Sequence, residues 1–577
     1  MNTRISTRVL LSVSLALCAG QGAAQGFVFA TLARDGQPLP GFPNGVSAET
    51  VRLQGLDRAG GSGVLVQRAG PGITSANDFG YWSSDGSSPF TSVIQEGEQA
   101  PGFPAGVIVS RVRDGEPREN GKWAIRGDVS GPGITPGLND LVIWVDDGSG
   151  LGPVPVAQRE TDSPPGFPSD ASYNSFSIFD SNNAGYVAFG GRVRFASGLI
   201  REGAFLYQPD GTTRLLAREL APLPGVTGIS TRTFSVGERA IDSNGNAVFF
   251  VGLPRPAGFP LDSNFAVVLS RADGTTEFLA RSADPAAGFP AGFIYDTFDR
   301  PIISDSGKIL FTATVFDDVG QPAGAVLYAG TSAADLRVVA STGLSAPGFP
   351  AGSVFDNFGA IFLRDTGEVT FNADVLVSND VTFADDGGIW SESSIGTLEL
   401  LVREGDQVPT LPAGSTFIVG ANRSGEPPVV LSTGDLVFEA GVRNGPPGVG
   451  VGVWRRDASG DYRVVTSAGS PINIVFNGQS EQQTVTRVNF TSFKDVLEDG
   501  RIALDVQLDG GGSAIIIAEP APDCAADVNG DGDATPADFN AWVAAFNSQA
   551  PECDQNGDGL CDPSDFNAWI LNFNAGC

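Results

Sequence analysis

A four-residue sequence, Pro-Gly-Phe-Pro, recurs along the chain at a nearly constant interval. The full copies stand at residues 40–43, 101–104, 165–168 and 347–350. Weaker copies stand at residues 224–226, 287–290 and 409–412. The second positions of these seven copies are 59 to 64 residues apart. A fixed period of this size indicates a repeat architecture, so we expect a series of similar units rather than unrelated domains.

Each unit has the same order of strand and turn signals. Apolar and polar residues alternate in short runs such as 247–250 and 309–312, and tight turns such as 242–245 and 272–274 separate the runs. Alternation bounded by Asn-Gly and Asp-Gly turns predicts antiparallel strands joined by hairpins. Four such strands in about 60 residues are typical of a β-propeller blade.

The two ends of the repeat region complement each other. The last unit has strand signals near 489–496, 501–506 and 513–518 but lacks a fourth strand. Residues 27–34 resemble a fourth strand placed before the first Pro-Gly-Phe-Pro. Because a closed ring has no exposed strand edges, we predict an all-β, eight-bladed propeller whose N-terminal strand closes the last blade. The alternative is a row of separate β-sandwich modules.

Long loops are expected on one face of this propeller. Because the four strands of a blade alternate in direction, the Pro-Gly-Phe-Pro linkers and the second-to-third-strand loops share one face, here called the linker face. The long loops are residues 191–203, 253–264, 374–387 and 443–450. Variable loops on a rigid scaffold often carry binding, so we expect a glycan or protein ligand there.

Two repeated residue types are interpreted as structural. Asp242, Asp305 and Asp365 stand at tight turns, where the Asp side chain stabilises the backbone. Four Trp residues share one position of the repeat and are expected in the core rather than at a sugar-binding surface; they stand at positions 82, 144, 390 and 454.

Composition excludes several classes of function. The chain contains no His and only three Lys, which removes His-based nucleophile activation and makes Schiff-base chemistry unfavourable. A net charge of −31 would repel nucleic acid and anionic membranes. An enzyme built from this chain would depend on paired carboxylates, and no pair stands out among the 66 acidic residues, so no catalytic residue is assigned.

The N-terminus has the pattern of a secretory signal peptide. Arg4 and Arg8 precede the apolar run 9–17, and small residues continue to Ala24. We therefore expect export to the periplasm, cell surface or medium, with no membrane span. The predicted domains are a signal peptide at 1–25, a propeller at 26–518, a linker at 519–523 and a C-terminal domain at 524–577.

The C-terminal segment contains a duplicated acidic loop with an offset of 27 residues. Each copy places oxygen-bearing residues at loop positions 1, 3, 5, 9 and 12 and Gly at position 6, which is the spacing of an EF-hand calcium loop. The backbone carbonyl of position 7 would complete each set, and Asp replaces the usual Glu at position 12. We predict two calcium ions, with the ligands Asp527, Asn529, Asp531, Asp533, Thr535 and Asp538 in the first loop and Asp554, Asn556, Asp558, Leu560, Asp562 and Asp565 in the second.

Each loop is followed by a helix signal. Thr535-Pro536 and Asp562-Pro563 provide an N-cap and a first-turn Pro, and Phe and Trp then recur at helical spacing. Two loop–helix units resemble a type I dockerin over about the last 54 residues. The resemblance implies a calcium-dependent anchor whose partner is a cohesin-like or cell-surface protein. The pairs Pro536-Ala537 and Pro563-Ser564 differ from the Ser/Thr pair that the family often uses for partner recognition.

Four cysteines follow the signal peptide, all in the C-terminal segment: Cys524, Cys553, Cys561 and Cys577. An even number in an exported chain favours two disulfides, and four cysteines allow three pairings. We favour Cys524–Cys577, which would join the ends of the module, together with Cys553–Cys561.

These observations favour a secreted, non-catalytic binding or assembly protein that combines a propeller recognition face with a calcium-dependent anchor. The alternative is a dockerin-tethered, carbohydrate-active enzyme, a hydrolase or lyase that works with propeller carboxylates.

Overall fold

The computed structural model describes residues 27–575 apart from short internal gaps. The gaps are residues 40, 57–60, 85–89, 119–121, 147–152, 183, 227–228, 238, 256–263, 318–319, 379, 410, 422–425, 447–448, 477–478, 491–495, 521–525, 530–534 and 556–559. The predicted signal peptide, residues 1–25, lies outside the described residues.

Eight antiparallel sheets follow one another along the chain, each from one repeat unit. The N-terminal strand β1 is Phe27–Arg34. Blade 1 contains β2 Ser47–Leu56, β3 Ser62–Ala69, β4 Phe79–Ser84 and β5 Thr91–Gln95. Blade 2 contains β6 Ile108–Arg118, β7 Lys122–Ser130, β8 Leu141–Val145 and β9 Val154–Gln158. Blade 3 contains β10 Ser172–Ser181, β11 Val187–Arg194, β12 Ile200–Tyr207 and β13 Thr213–Arg218. Blade 4 contains β14 Thr233–Ser235, β15 Ala247–Gly252, β16 Phe265–Ser270 and β17 Thr276–Arg281.

The second half of the ring continues the same order. Blade 5 contains β18 Ile294–Ile303, β19 Ile309–Phe316, β20 Pro322–Gly330 and β21 Arg337–Ser341. Blade 6 contains β22 Phe355–Leu363, β23 Val369–Val375, β24 Gly387–Ser394 and β25 Thr397–Arg403. Blade 7 contains β26 Thr416–Ile418, β27 Val429–Val430, β28 Leu436–Arg443, β29 Gly452–Arg456 and β30 Tyr462–Ser467. Blade 8 contains β31 Pro471–Phe476, β32 Gln479–Asn489, β33 Ile502–Leu508 and β34 Ser513–Pro520.

The eight-bladed propeller and its shared last blade are confirmed. The N-terminal strand β1 pairs antiparallel with β34, from Phe27 opposite Pro520 to Arg34 opposite Ala514. The sheet order β1-β34-β33-β32-β31 places the first strand of the chain at the outer edge of the last blade. The two ends of the propeller therefore lie side by side.

One strand of the last blade differs from the prediction. Sequence analysis placed its first strand near 489–496, but β32 ends at Asn489, and Val496 makes only an isolated bridge with Ile502. The first half of β32 pairs with β31 in a local hairpin, which the other units lack. This Gln-rich stretch has no apolar alternation, so the periodic signal could not locate it.

The hydrophobic core lies between neighbouring blades rather than inside any one of them. In one cluster Leu65 and Tyr81 of blade 1 pack with Val109 and Trp123 of blade 2. Similar clusters join the successive pairs of blades around the ring. The ring closes where residues of blade 8, including Ile515, pack against blade 1. Each blade therefore depends on its neighbours for its buried surface.

The recurrent linker is held by the third-strand Trp, as expected for a structural motif. The Phe42 ring lies 5.2 Å from that of Trp82, and the Phe349 ring lies 5.5 Å from that of Trp390. The indole N–H of Trp390 also donates to the Pro347 carbonyl at 2.9 Å. Trp144 makes the equivalent bond to Pro101. The motif thus joins a turn to the buried side of the same blade.

An acidic residue just after the fourth strand connects neighbouring blades. Asp35 accepts hydrogen bonds from the backbone N–H of Ser513 at 2.7 Å and of Val51 at 3.0 Å, so it joins blade 8 to blade 1. Glu96 accepts equivalent bonds from Phe79 and Val112, which belong to blades 1 and 2. Repeated carboxylates therefore stabilise the seams between blades.

Two helices form the C-terminal module, α1 Pro536–Ser548 and α2 Pro563–Ala575. Both begin at the Pro that the sequence predicted, and Thr535 caps α1 with a capping box to Asp538. Short 3-10 turns lie at Ala333–Asp335 and Pro551–Cys553. Within the described part of the chain, the helices are too short or too polar to cross a bilayer.

Candidate functional site

The predicted calcium ligands lie in the two loops that precede α1 and α2. Asp531, Asp533, Asn556 and Asp558 fall outside the described residues. The other eight are described: Asp527, Asn529, Thr535, Asp538, Asp554, Leu560, Asp562 and Asp565. Within the described residues, groups of three or more acidic or Cys side chains that could hold a metal ion are absent. The calcium assignment therefore stays a prediction.

Asp538, at position 12 of the first loop, is fully buried. Its carboxylate accepts hydrogen bonds from the backbone N–H of Asn529 at 3.0 Å and of Thr535 at 2.8 Å. Burial pushes the pKa of Asp538 upward, but these hydrogen bonds outweigh it and leave the pKa below its ordinary value. The side chain is thus a buried anion that joins the start of its loop to the helix.

Asp565 has the same role in the second loop. It is also fully buried, and it accepts hydrogen bonds from the backbone N–H of Gln555 at 2.9 Å and of Asp562 at 2.8 Å. A buried carboxyl group in each loop suits a hard divalent cation, since each carboxylate oxygen has a second lone pair. The residues that are described therefore fit calcium, which would be held by the loop oxygens.

The two loop–helix units are connected to each other in reciprocal fashion. The indole N–H of Trp542 on α1 donates to the Cys553 carbonyl ahead of the second loop, at 3.1 Å. The indole N–H of Trp569 on α2 donates to the Ala526 carbonyl ahead of the first loop, at 3.2 Å. Cys553 and Cys561 form the predicted disulfide. The predicted Cys524–Cys577 bond involves residues outside the described part.

A second candidate site is a cavity of about 440 Å³ on the axis of the propeller. All eight blades line it, from Leu56 in blade 1 to Glu498 in blade 8, through the ends of their first strands and the hairpins that follow. The first strands are therefore innermost. These hairpins lie on the face opposite the linkers, here called the hairpin face, so this is not the face that sequence analysis favoured for binding.

An apolar cluster from three blades forms part of the wall of this cavity. Phe362 of blade 6 packs with Val429 and Leu431 of blade 7 and with Val496 of blade 8. Sequence analysis did not single out these residues, because an apolar residue before a hairpin looks like an ordinary strand position. The recurrence of such residues in adjacent units is the signal that could have identified them.

Arg239 of blade 4 reaches across to this apolar cluster. Its guanidinium donates to the Leu363 carbonyl of blade 6 at 2.7 Å and lies 4.8 Å from the centre of the Phe362 ring. The backbone of Arg239 has φ of 54°, a left-handed conformation that non-Gly residues adopt at a cost. The fold thus holds a cation over an aromatic face inside the cavity.

Carboxylates at the mouth of the cavity take part in backbone hydrogen bonds. Asp180 accepts from the Ala240 N–H at 2.9 Å, and Glu498 accepts from the Ser432 N–H at 2.8 Å, in each case from a neighbouring blade. Asp242 accepts from the N–H groups of its own turn residues Asn244 and Asn246, which confirms its interpretation as a turn residue. The bonds of Asp180 and Glu498 therefore connect neighbouring blades beside the cavity.

A further cavity of about 530 Å³ lies between blades 7 and 8. Glu426, Glu439 and Arg487 are among its lining residues. Glu439 is half-buried, and burial raises its pKa while the charge of Arg487 opposes the rise. Glu439 stands on the second strand of blade 7, next to the interrupted first strand formed by β26 and β27.

Solved structures resemble this chain at low identity. They include a Hadza microbial sialidase (11% identity, 86% of this chain and 94% of that one, TM-score 0.28) and the Dos1 propeller (10%, 70% and 92%, 0.27). A Fusarium graminearum α-L-arabinofuranosidase gives 11% identity over 62% of this chain and 96% of that one, with a TM-score of 0.26. The search of curated proteins found no match.

A family model matches the chain twice, over residues 29–254 and 196–505. The two matches overlap and together cover most of the propeller, from β1 to β33. The chain therefore belongs to the family of unknown function DUF7453.

Proposed function

We propose that this protein is a non-catalytic binding or complex-assembly protein. The propeller serves as the recognition domain, and the C-terminal module serves as a calcium-dependent anchor. The observation that carries the proposal is the axial cavity of the propeller, where an apolar cluster and the Arg239 guanidinium form part of the lining and the carboxylates Asp180 and Glu498 are engaged by backbone N–H groups.

The carboxylates at the axial cavity also favour binding over catalysis. A glycosidase needs one carboxyl group as proton donor and a second as nucleophile or base, with both facing the substrate. Asp180 and Glu498 instead accept backbone hydrogen bonds that hold neighbouring blades together. Because the chain has no His, acid–base catalysis at the axial cavity would depend on these carboxylates.

A turnover screen on polysaccharides and aryl glycosides, combined with a glycan and peptide binding array, tests this proposal. We expect binding without product release at protein concentrations in the micromolar range. Reproducible cleavage that is abolished by one Asp or Glu substitution on the propeller would contradict it.

The second candidate function is a carboxylate-dependent, carbohydrate-active enzyme. The cavity between blades 7 and 8 supports it, because Glu426 and Glu439 both line that cavity and the raised pKa of Glu439 suits a general acid. In this case Glu439→Gln should remove turnover, whereas the exposed-site control Asp170→Asn should leave it unchanged.

Calcium binding by the C-terminal module is supported by its loop spacing and by the buried side chains of Asp538 and Asp565. When bound, the cation would neutralise the loop carboxylates and couple their geometry to helix packing. Native mass spectrometry of the full chain should show two calcium ions, and near-UV circular dichroism should report on Trp542 and Trp569. The double variant Asp527→Ala/Asp554→Ala should lose both signals, whereas the control Glu552→Ala should keep them. An unchanged stoichiometry in the double variant would contradict the assignment.

The expected partner of the module is a cohesin-like or cell-surface protein. Apolar side chains on α1 and α2 that are exposed to solvent, among them Val543, Phe566 and Ile570, support a docking role. Pull-down from a cell-surface fraction should depend on calcium and should be weakened by Val543→Asp/Ile570→Asp.

Export is part of the same proposal, and N-terminal sequencing of the secreted protein should place the first residue near position 25.

A further inference from the structure

We infer that the axial cavity on the hairpin face binds a small amphiphilic cation, that is, an apolar aromatic or aliphatic body that carries an ammonium or guanidinium group. The inference rests on the proposed binding function and specifies where one ligand binds and what its chemistry is. It assigns recognition to the face opposite the variable loops.

The walls of the cavity suit an apolar body. Phe362, Val429, Leu431 and Val496 form one apolar cluster, and Ile241 and Ile303 add to the lining from blades 4 and 5. A volume of about 440 Å³ lies within the range of small-molecule sites. Because the lining residues come from eight separate hairpins of a closed ring, the cavity is largely preformed, which lowers the entropic cost of binding.

The charge at the cavity favours a cation. Among the described residues, its lining contains four carboxylates, Asp180, Asp305, Asp365 and Glu498, against two guanidinium groups, Arg239 and Arg364. The net charge of −31 on the whole chain reinforces this local excess. A ligand anion would therefore meet a repulsive field at the mouth, whereas a cation would be attracted.

The protein already places a cation of its own in this environment. The Arg239 guanidinium lies 4.8 Å from the centre of the Phe362 ring, within the range of a cation–π contact. It also donates to a backbone carbonyl that faces the axis, that of Leu363. Because Arg239 already occupies this aromatic face and this carbonyl, the ammonium group of a ligand would be attracted by the lining carboxylates, while the apolar body of the ligand packs on the apolar cluster.

Three probes that differ only in charge test the inference: 4-phenylbutylamine, 4-phenylbutanol and 4-phenylbutyrate. Titration calorimetry and saturation-transfer NMR on the full-length protein at pH 7.5 should rank their affinities as amine, then alcohol, then carboxylate. The amine should bind about tenfold more tightly than the carboxylate, since 1.4 kcal/mol of electrostatic preference corresponds to a factor of ten. Equal affinities for amine and carboxylate would overturn the charge assignment.

Blocking variants test the location. Ser432 and Thr366 are exposed residues at the cavity mouth, so Ser432→Trp and Thr366→Trp should each abolish amine binding without disturbing the core. The matched control Ala272→Trp adds the same side chain to an exposed outer hairpin of the same face and should leave the affinity unchanged. Amine binding that survives both blocking variants would overturn the site.

Charge-removing variants separate this inference from the wider proposal. Asp365→Asn/Glu498→Gln should reduce the affinity for the amine to that for the alcohol, with no change for the alcohol itself. If none of the probes binds at millimolar concentration, the inference is wrong. The proposed binding function would then still be judged independently by the glycan and peptide array and by the turnover screen.

Discussion

The propeller, residues 27–520, and the C-terminal module, residues 526–575, are both built by repetition, yet they are held together in different ways. The propeller buries large side chains at every interface between blades, such as Trp82, Trp144 and Phe311. The module has two copies and buries little beyond Trp542 and Trp569, while Leu571 is 70% exposed and Phe566 38% exposed. Repeated units form a large hydrophobic core only when enough copies pack against one another.

The difference shows where each region obtains its stability. A closed ring of eight blades has no terminal copy to expose, because β1 completes the last blade. The module has only two copies, so it depends on aromatic contacts between its helices, such as Phe539 with Trp569, on reciprocal Trp hydrogen bonds and a disulfide, and by our proposal on calcium. Perturbations should therefore act on one region without affecting the other.

Deletion of residues 27–34 should have the largest effect. It would remove the pairing of β1 with β34, the buried side chains of Phe27 and Ala33, and the Asp35 hydrogen bonds that follow. We expect the melting temperature of the propeller to fall by more than about 10 °C, with aggregation through the exposed strand edges. Calorimetry and light scattering would measure both effects. A monomer with an unchanged melting temperature would contradict the closure.

Removal of the Cys553–Cys561 disulfide should act on the other region alone. The two cysteines are eight residues apart, so the loop-entropy relation gives a loss of about 2.5 kcal/mol for the double Ser variant. Chemical denaturation followed by Trp fluorescence and far-UV circular dichroism should show an earlier helical transition and an unchanged propeller transition. A shift of the propeller transition would show that the two regions are coupled.

Asp505→Asn should stabilise the propeller in a pH-dependent way. Burial, with a contribution from Asp35, raises the pKa of Asp505 to about 6, and Arg52 and Arg487 oppose the rise. Because the folded pKa exceeds the unfolded value, the wild-type protein loses stability as the pH rises from about 4 to about 6. The variant should therefore gain about 1–2 kcal/mol at pH 7.5 and little at pH 4.

Urea denaturation at the two pH values measures this effect, with the exposed residue Asp170 changed to Asn as the control. A variant that is less stable than the wild type at pH 7.5 would show that the attraction of Asp505 to Arg52 and Arg487 outweighs its burial. The module should respond to neither substitution, since both residues belong to the propeller.

The smallest predicted effect is a difference in stability between substitutions of two Trp residues, Trp390 and Trp454, that occupy the same position in different blades. Trp390→Phe removes an indole that donates to Pro347, whereas Trp454 stands in the unit with the degenerate linker 409–412, and its buried N–H lacks a partner within the described residues. Both substitutions remove similar volume. Trp390→Phe should lower the free energy of unfolding by about 1 kcal/mol more than Trp454→Phe, which is the usual net contribution of one hydrogen bond. Equal losses would show that the linker bond contributes nothing to stability.

The sequence was most informative where a pattern repeats. The period of the linker predicted the blades, and the unmatched strand signals at the two ends predicted the closure by β1. The hairpin of β31 and β32 escaped prediction, because a feature that occurs in one unit has no second copy to reveal it. The Cys553–Cys561 pairing was favoured among three possible pairings and is confirmed.

The axial cavity could not be predicted for a different reason. It is formed by single residues that are far apart in sequence, such as Arg239 and Phe362, and that come together only when the ring is complete. The sequence distinguishes the two faces only by loop length, which favours the linker face. Loops are long where the chain tolerates insertions, whereas the axial cavity is formed by the closure of the blades into a ring.

The pairing of β1 with β34 also sets the order of events during synthesis. The outer strand of the last blade is made first and its partner last, so β1 must remain unpaired while almost the entire ring emerges from the ribosome. At ordinary elongation rates this interval is on the order of tens of seconds. Throughout it, an apolar strand and the blade faces at the open ends of the incomplete ring are available to other chains. We expect that an unclosed nascent chain requires a holding chaperone, and that circular permutants opened at a different hairpin face the same delay at a different seam.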